Sequence, residues 1–137
     1  MSQALYHAAL IAKARSGAGA GRLSPHDASA RSDNPLCGDR ITLDLRIADG
    51  HIGAIGHEVR GCLLCEAAAA TIATSLTGAT LQNAHEMITA AAALVREGIP
   101  ADGFAELEIF TPVHGAKSRR DCALLPFDAL EKALAGF

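Results

Sequence analysis

A chain of 137 residues, half of them apolar, has the length of one domain and can bury a core of its own, so 1–137 is expected to fold as a single unit. Its formal charge of −3 and the lack of any run of Lys or Arg argue against a grip on nucleic acid or on an anionic membrane, since both need a basic face. No stretch reaches the roughly 18 consecutive apolar residues of a bilayer span, and Met1 to Ala14 lacks the basic start and apolar core of a signal peptide, so a cytoplasmic protein with protein or metal partners is expected.

Ala4 to Arg15 places Leu5, Ala8, Ala9 and Ala12 on one face at helical spacing, which predicts an amphipathic helix ended by Gly17. Ser16 to Asn34 is rich in Gly, Ala and Ser, has no period and contains Pro25, so it reads as a mobile or irregular connection. It delivers Asn34-Pro35-Leu36-Cys37-Gly38-Asp39, where Gly38 lets the chain turn tightly enough to aim a thiol and a carboxylate at one point. From Ile41 to Ile47 apolar and polar residues alternate, and Asp49-Gly50 is a hairpin turn, so a β-hairpin is predicted over about 40–48 and 51–60 with a bulge near Gly53 or Gly56. His57 falls on its inward face, where a satisfied core or edge histidine is the simpler reading than a ligand.

Gly61 closes the hairpin and Cys62 begins a helix carried to about Thr77, with Leu64, Ala68, Ile72 and Leu76 inward and the small residues Ala67 to Ala70 allowing close approach of another backbone. A thiol at a helix start sits among unpaired N–H groups, which favours thiolate, and Cys65 shares its helix face with Cys62. Thr80 suits the N-cap of a second helix that runs to Gly98 with Leu81, Ala84, Ile88, Ala91 and Val95 on one side. Residues 104–110 fit a strand or a short helix equally, and Pro112 to Lys117 reads as a loop. Cys122 then leads into a last helix carrying Phe127, Leu130 and Leu134, which accommodates Pro126 only in its first turn.

In a reducing compartment the four cysteines read as metal ligands or reactive thiols rather than as a disulfide framework, although free Cys is also an ordinary small core residue. Three of them stand at element boundaries, where a fold can gather distant residues at one end of a sheet. Cys37, Asp39, Cys62 and Cys122 would supply three thiolates and a carboxylate to a tetrahedral site, with Cys65 competing for the fourth place. A second Cys-x-x-Cys pair, the mark of a zinc ribbon, is absent, as is the βαβ setting of a redox motif.

The segment Asn34-Pro35-Leu36-Cys37-Gly38-Asp39 resembles the Asn-Pro-x-Cys-Gly-Asp signature of the IscU, SufU and NifU amino-terminal scaffold family, which assembles iron-sulfur clusters. The hairpin leading into Gly61-Cys62 and an Ala/Ser-rich helix resembles that family's second cysteine motif, and Arg119-Arg120-Asp121-Cys122-Ala123-Leu124-Leu125 resembles its third, so the likeness runs from Leu5 to Leu134. The resemblance implies an α+β fold of the SufE/NifU kind, a small antiparallel sheet packed against helices with three cysteines at one exposed end. It implies that Cys37, Cys62 and Cys122 hold a transient iron-sulfur cluster or zinc, with Asp39 as a ligand or as the carboxylate that keeps the cluster transferable. Its implied partners are a cysteine desulfurase, which supplies sulfur as persulfide, and apo-protein acceptors or carriers of clusters.

Some positions point to a branch. Asp121 stands where IscU members have His, and Thr111-Pro112-Val113-His114 only faintly resembles their Pro-Pro-Val-Lys chaperone motif. The interval from Cys62 to Cys122 is longer than in IscU by about one helix, and Arg119 matches an arginine of SufU, which favours the SufU branch. The alternative function implied there is a zinc-dependent sulfurtransferase that takes persulfide from its desulfurase, with Cys122 as acceptor candidate beside Arg119. Cys65 stands where many relatives have serine, and reads either as a buried small residue or as a functional thiol.

Overall fold

In a computed structural model, which describes residues 3–137, β2 (Asp39–Ala48) and β3 (His51–Arg60) form the expected hairpin, turned by Asp49 and Gly50 at φ 54° and 73°. Gly53 is the bulged residue, because Arg46 pairs with Ala54 whereas Ile47 pairs with Ile52. A third strand, β1 (Ala28–Asn34), lies antiparallel on the other edge of β2, giving a sheet of order β1-β2-β3. This corrects the expectation of an irregular connection through residue 34. The strand escapes the periodic signal because its inner face is Ala28, Ala30 and Ser32, opposite Leu45, Leu43 and Ile41, and small side chains carry little hydropathy.

One face of the sheet is layered by helices. Around it stand α1 (Gln3–Arg15), α2 (Leu63–Leu76), α3 (Leu81–Ala92), which continues as a π-helical turn over Ala93–Glu97, and α4 (Arg120–Leu134). The last helix packs on β1 and β2, while α2 packs on β3, α1 and α4. Between these layers Ile41, Leu43, Leu45, Ile72, Leu76 and Leu130 are fully buried, each stabilising the fold by roughly 1.5–3 kcal/mol. Thr80 caps α3 as expected, its hydroxyl accepting from Asn83 N at 3.0 Å. The architecture is the expected α+β arrangement of an antiparallel sheet against helices.

Three local expectations change, and the open reading of 104–110 is decided. The inward face of α1 is Leu10 and Ala14, and Leu5 is 60% exposed, because an alanine-rich helix has too weak an apolar stripe to define its rotation. Residues 105–115 form a 3-10 helix that buries Leu107, Phe110 and Val113, so the segment 112–117 is not simply a loop and 104–110 is not a strand. A second short 3-10 turn, Lys117–Arg119, leads directly into α4. Pro126 therefore lies in the second turn of α4, not the first, and position 126 offers no helical N–H to the carbonyl of Cys122 four residues back.

The segment before β1 is tied down as a strap rather than left loose. Gly21 N donates to His57 O at 2.7 Å and His57 N donates to Gly19 O at 2.9 Å, so the strap pairs with the free edge of β3. On the outer face, fully buried Asp44 accepts from Arg22 Nε at 2.6 Å and Nη2 at 3.1 Å, Leu23 N at 3.0 Å and Ser29 Oγ at 2.7 Å. Burial alone would raise the Asp44 carboxyl, but these bonds outweigh it and hold it below the ordinary carboxylate range. His57, buried on the inner face, uses Nε2 to donate to Ala18 O at 2.7 Å, which leaves its buried Nδ1 without a partner. It is a core histidine, satisfied at one ring nitrogen only. Burial pushes its pKa below the ordinary 6.5, despite the bond to Ala18 and the charge of Glu66.

Both groups make the fold acid-sensitive, with the sign fixed by their shifts. Because the folded His57 resists protonation, the unfolded chain gains protons first as pH falls below about 6.5, and stability drops there. The lowered Asp44 contributes stability above the ordinary carboxylate pKa that is lost as pH falls through its folded value. In urea titrations from pH 8 to pH 3, His57→Phe is expected to flatten the first limb of this decline and Asp44→Asn the second. Asp44→Ala should cost roughly 2 kcal/mol at neutral pH, since Leu23 N and Ser29 Oγ lose their acceptor.

Candidate metal centre

The β1–β2 turn, the end of β3 and the start of α4 meet at one end of the sheet. Asn34 shapes the turn: its carbonyl accepts from Gly38 N at 2.8 Å and its side-chain oxygen accepts from Leu36 N at 3.1 Å. Gly38 supplies the left-handed residue, φ 76°, with nothing near the position of a side chain. The turn presents Cys37 to solvent and leaves Leu36 94% exposed at its tip. Asp39 follows as the first residue of β2, opposite Asn34, and is buried.

Cys122 reaches the same point from the first turn of α4, its Sγ 3.5 Å from Cys37 Sγ. One donor atom from each of Cys37, Asp39 and Cys122 lies within 4.8 Å of the others. Among the described residues this is the group placed to hold a cation. Asp39 Oδ2 is buried without a hydrogen-bond partner, a costly state for an acceptor unless something is meant to meet it. Two sulfurs and an orphaned carboxylate oxygen are a donor set suited to zinc or to iron-sulfur units, so the residues present fit such a group.

The structure brings Cys37, Asp39 and Cys122 together and leaves the other expected site residues apart. Cys62 is the N-cap of α2, half-buried, and stands outside the 4.8 Å group, although its charge is felt by Cys122. Cys65 lies one turn further along α2, fully buried in the core. Arg119, the N-cap of α4, lines a hollow of about 450 Å³ with Tyr6, Leu10, Leu63 and Val113 rather than the thiol group itself. The next residue, Arg120, is one the sequence reading passed over. Its guanidinium donates to the His114 carbonyl through Nε at 2.9 Å and also through Nη2, while His114 Nδ1 meets Val95 O at 3.1 Å. Those bonds tie the 3-10 segment to the helix that carries Cys122. Nothing in the local pattern announces this, because the acceptor is a main-chain carbonyl.

The electrostatics of the pair run against the helix-start expectation at Cys122. Burial, the hydrogen-bonded Cys37 thiol, the charge of Cys62 and the neighbouring Asp39 all push the Cys122 thiol up, outweighing any gain from the helix N-terminus. Burial, then Asp39 and the neighbouring cysteines, push Cys65 up as well.

The fold and this donor set define an α+β domain with a thiol–carboxylate centre at one end of its sheet. The chain matches the NifU-like N terminal domain over residues 5–137, and it belongs to that family, the IscU–SufU family of iron-sulfur cluster assembly scaffolds. It is 24% identical over 131 residues to the iron-sulfur cluster assembly scaffold protein IscU of Thermotoga maritima, covering 95% of this chain and 92% of that one. It is 27% identical over 105 residues to the zinc-dependent sulfurtransferase SufU of Bacillus subtilis, covering 75% and 71%. The crystal structure of a nitrogen-fixing NifU-like protein (N-terminal) from Brucella abortus superposes with a TM-score of 0.87 at 30% identity, over 92% of this chain and 89% of that one. The IscU and SufU relatives stand at nearly the same identity, so the assignment is to the family as a whole. No described helix is long and apolar enough to cross a membrane.

Thiol exposure and basicity set an order of reactivity. In metal-free protein at pH 7.5, iodoacetamide is expected to label Cys37 first, Cys122 at least several-fold more slowly and Cys65 last, as read by peptide mass spectrometry over time. Labelling of Cys65 ahead of Cys37 would contradict the burial described.

Proposed function

We propose that this protein is a scaffold that accepts sulfur from a cysteine desulfurase and assembles an iron-sulfur cluster on Cys37, Asp39 and Cys122, with Cys62 completing the donor set. The observation that carries the reading is the Cys37–Asp39–Cys122 group within 4.8 Å at the exposed end of the sheet. The cluster is cargo here, built and passed to apo-protein acceptors or carriers. A carboxylate among thiolates suits that task, because a hard oxygen donor binds iron-sulfur units less tenaciously than sulfur and leaves one position exchangeable.

Sulfur delivery follows thiol–disulfide rules. A thiolate of the pair attacks the terminal sulfur of the desulfurase persulfide, a new S–S bond forms on the scaffold, and the desulfurase cysteine leaves as thiolate. Cys122 is the proposed resting place of that sulfur, with Arg119 at the head of its helix. Cys37, exposed and 3.5 Å away, is the thiol an incoming donor meets first. Cys65 is fully enclosed and takes no part.

The second reading is a zinc-dependent sulfurtransferase of the SufU kind, which holds zinc at the same residues and transfers persulfide sulfur without carrying a cluster. Asp121 before Cys122, in place of histidine, and Arg119 favour this branch. In either case the protein acts where its desulfurase does, and a cytoplasmic setting suits its reduced thiols.

Protein isolated without oxygen should contain iron and acid-labile sulfide if the scaffold reading is right, or stoichiometric zinc with strong stimulation of desulfurase turnover if the second is. Cys37→Ser and Cys122→Ser are expected to lower metal content at least 10-fold and to abolish sulfur transfer, with Cys65→Ser close to wild type. A protein that takes up neither metal nor persulfide with desulfurase, cysteine and iron supplied would rule out both readings.

A further inference from the structure

The two glycines of the centre are there for different physical reasons. Gly38 takes φ 76° in open space, so its role is backbone conformation. Gly61 has no left-handed φ, and any residue could adopt its backbone. What it lacks is room. A Cβ built on Gly61 would lie 2.9 Å from Asp39 Cγ, 3.0 Å from Oδ1 and 3.1 Å from Asp39 Cβ, inside normal van der Waals contact.

The register explains the closeness. Arg40 pairs with Arg60, so Asp39 and Gly61 face each other one rung further along, where β3 ends and the chain turns into Cys62. The Asp39 carboxylate lies over the bare Cα of Gly61. Its Oδ2 is buried and unpaired, and one oxygen of the carboxylate lies within 4.8 Å of the Cys37 and Cys122 sulfurs. The room left at residue 61 is what allows the carboxylate to lie there.

We propose that Gly61 is the positioning residue for Asp39: the space left by its missing side chain seats the carboxylate so that one oxygen is kept with the Cys37 and Cys122 sulfurs. This rests on reading that group as a metal centre. Gly61 supplies no donor atom and acts only through Asp39. A methyl group at 61 displaces the carboxylate while leaving both thiols in place, and so separates the oxygen donor from the sulfur donors.

The test is a double-variant cycle with cobalt(II) as the probe, comparing wild type, Gly61→Ala, Asp39→Gly and the pair. Asp39→Gly removes all three atoms that the new Cβ would strike. Cobalt(II) affinity is expected to fall on the order of 10-fold in Gly61→Ala. Its visible bands should shift as an oxygen donor is lost, while the sulfur-to-metal charge-transfer band of the thiolates persists. In the Asp39→Gly background the same change should cost nothing further. Equal losses in both backgrounds, or unchanged visible bands in Gly61→Ala, would overturn the proposal. Urea unfolding of the metal-free proteins supplies a readout independent of metal: destabilisation by Gly61→Ala should vanish in Asp39→Gly, and its persistence there would mean that residue 61 serves the backbone alone. If Gly61→Ala fails to fold but the pair folds, the steric contact is supported, and cobalt(II) is then compared between the pair and Asp39→Gly. If wild type takes up no cobalt(II), the metal-centre reading falls and the positioning role with it, whatever the unfolding cycle shows.

Discussion

The last helix rests on the first strand, and most of the molecule follows from that contact. The inner face of β1 is Ala28, Ala30 and Ser32, small enough for α4 to come close while Leu130 and Leu134 reach into the core beside Ile41 and Leu43. A polar link fixes the helix along its axis: Ser32 Oγ donates to Asp128 Oδ2 at 2.7 Å, and Lys132 Nζ lies 3.2 Å from the same carboxylate. Because β1 runs straight into the turn that holds Cys37, docking α4 on β1 also decides where Cys122 stands. The centre is thus a by-product of helix-on-sheet packing, and larger side chains on β1 would open it as they pushed the helix away.

At the centre itself the fold gathers two thiols and a carboxylate into a small space. The Cys122 thiol is held up by burial and by its neighbours, and the Asp39 carboxylate keeps one oxygen unpaired. A cation relieves both problems at once, replacing a thiol proton at one and supplying a partner to the other. Exposed Cys37 on a turn and buried Cys122 on a helix divide the work sensibly, one reachable and one anchored.

The hairpin, the caps and the three cysteine motifs were legible because each is a local signal: alternation, Asp-Gly, a threonine before a helix, a thiol at a boundary. What escaped was whatever depends on distant partners. Strand β1 is polar along its sequence and becomes a strand only when β2 and α4 are beside it. The strap of residues 17–23 shows no period because it is held by a buried carboxylate and the edge of β3, not by a repeating face. The motifs assigned all four proposed donors to one place, whereas the exclusion of Cys62 from the tightest group and the enclosure of Cys65 needed the tertiary fold.

The strands pair with near neighbours in the chain, yet Cys37 and Cys122 are separated by 85 positions and Ser32 and Asp128 by 96. The centre therefore cannot exist on a growing chain until Cys122 has been made and α4 has docked. A chain made only as far as α3 carries Cys37, Asp39 and Cys62 but lacks Cys122 and the helix that brings its sulfur to the turn. A link between the two sulfurs would close a loop of that length, and the entropy of so long a loop falls on the unfolded chain, so a group held at this point would also act as a clasp on the C-terminal helix.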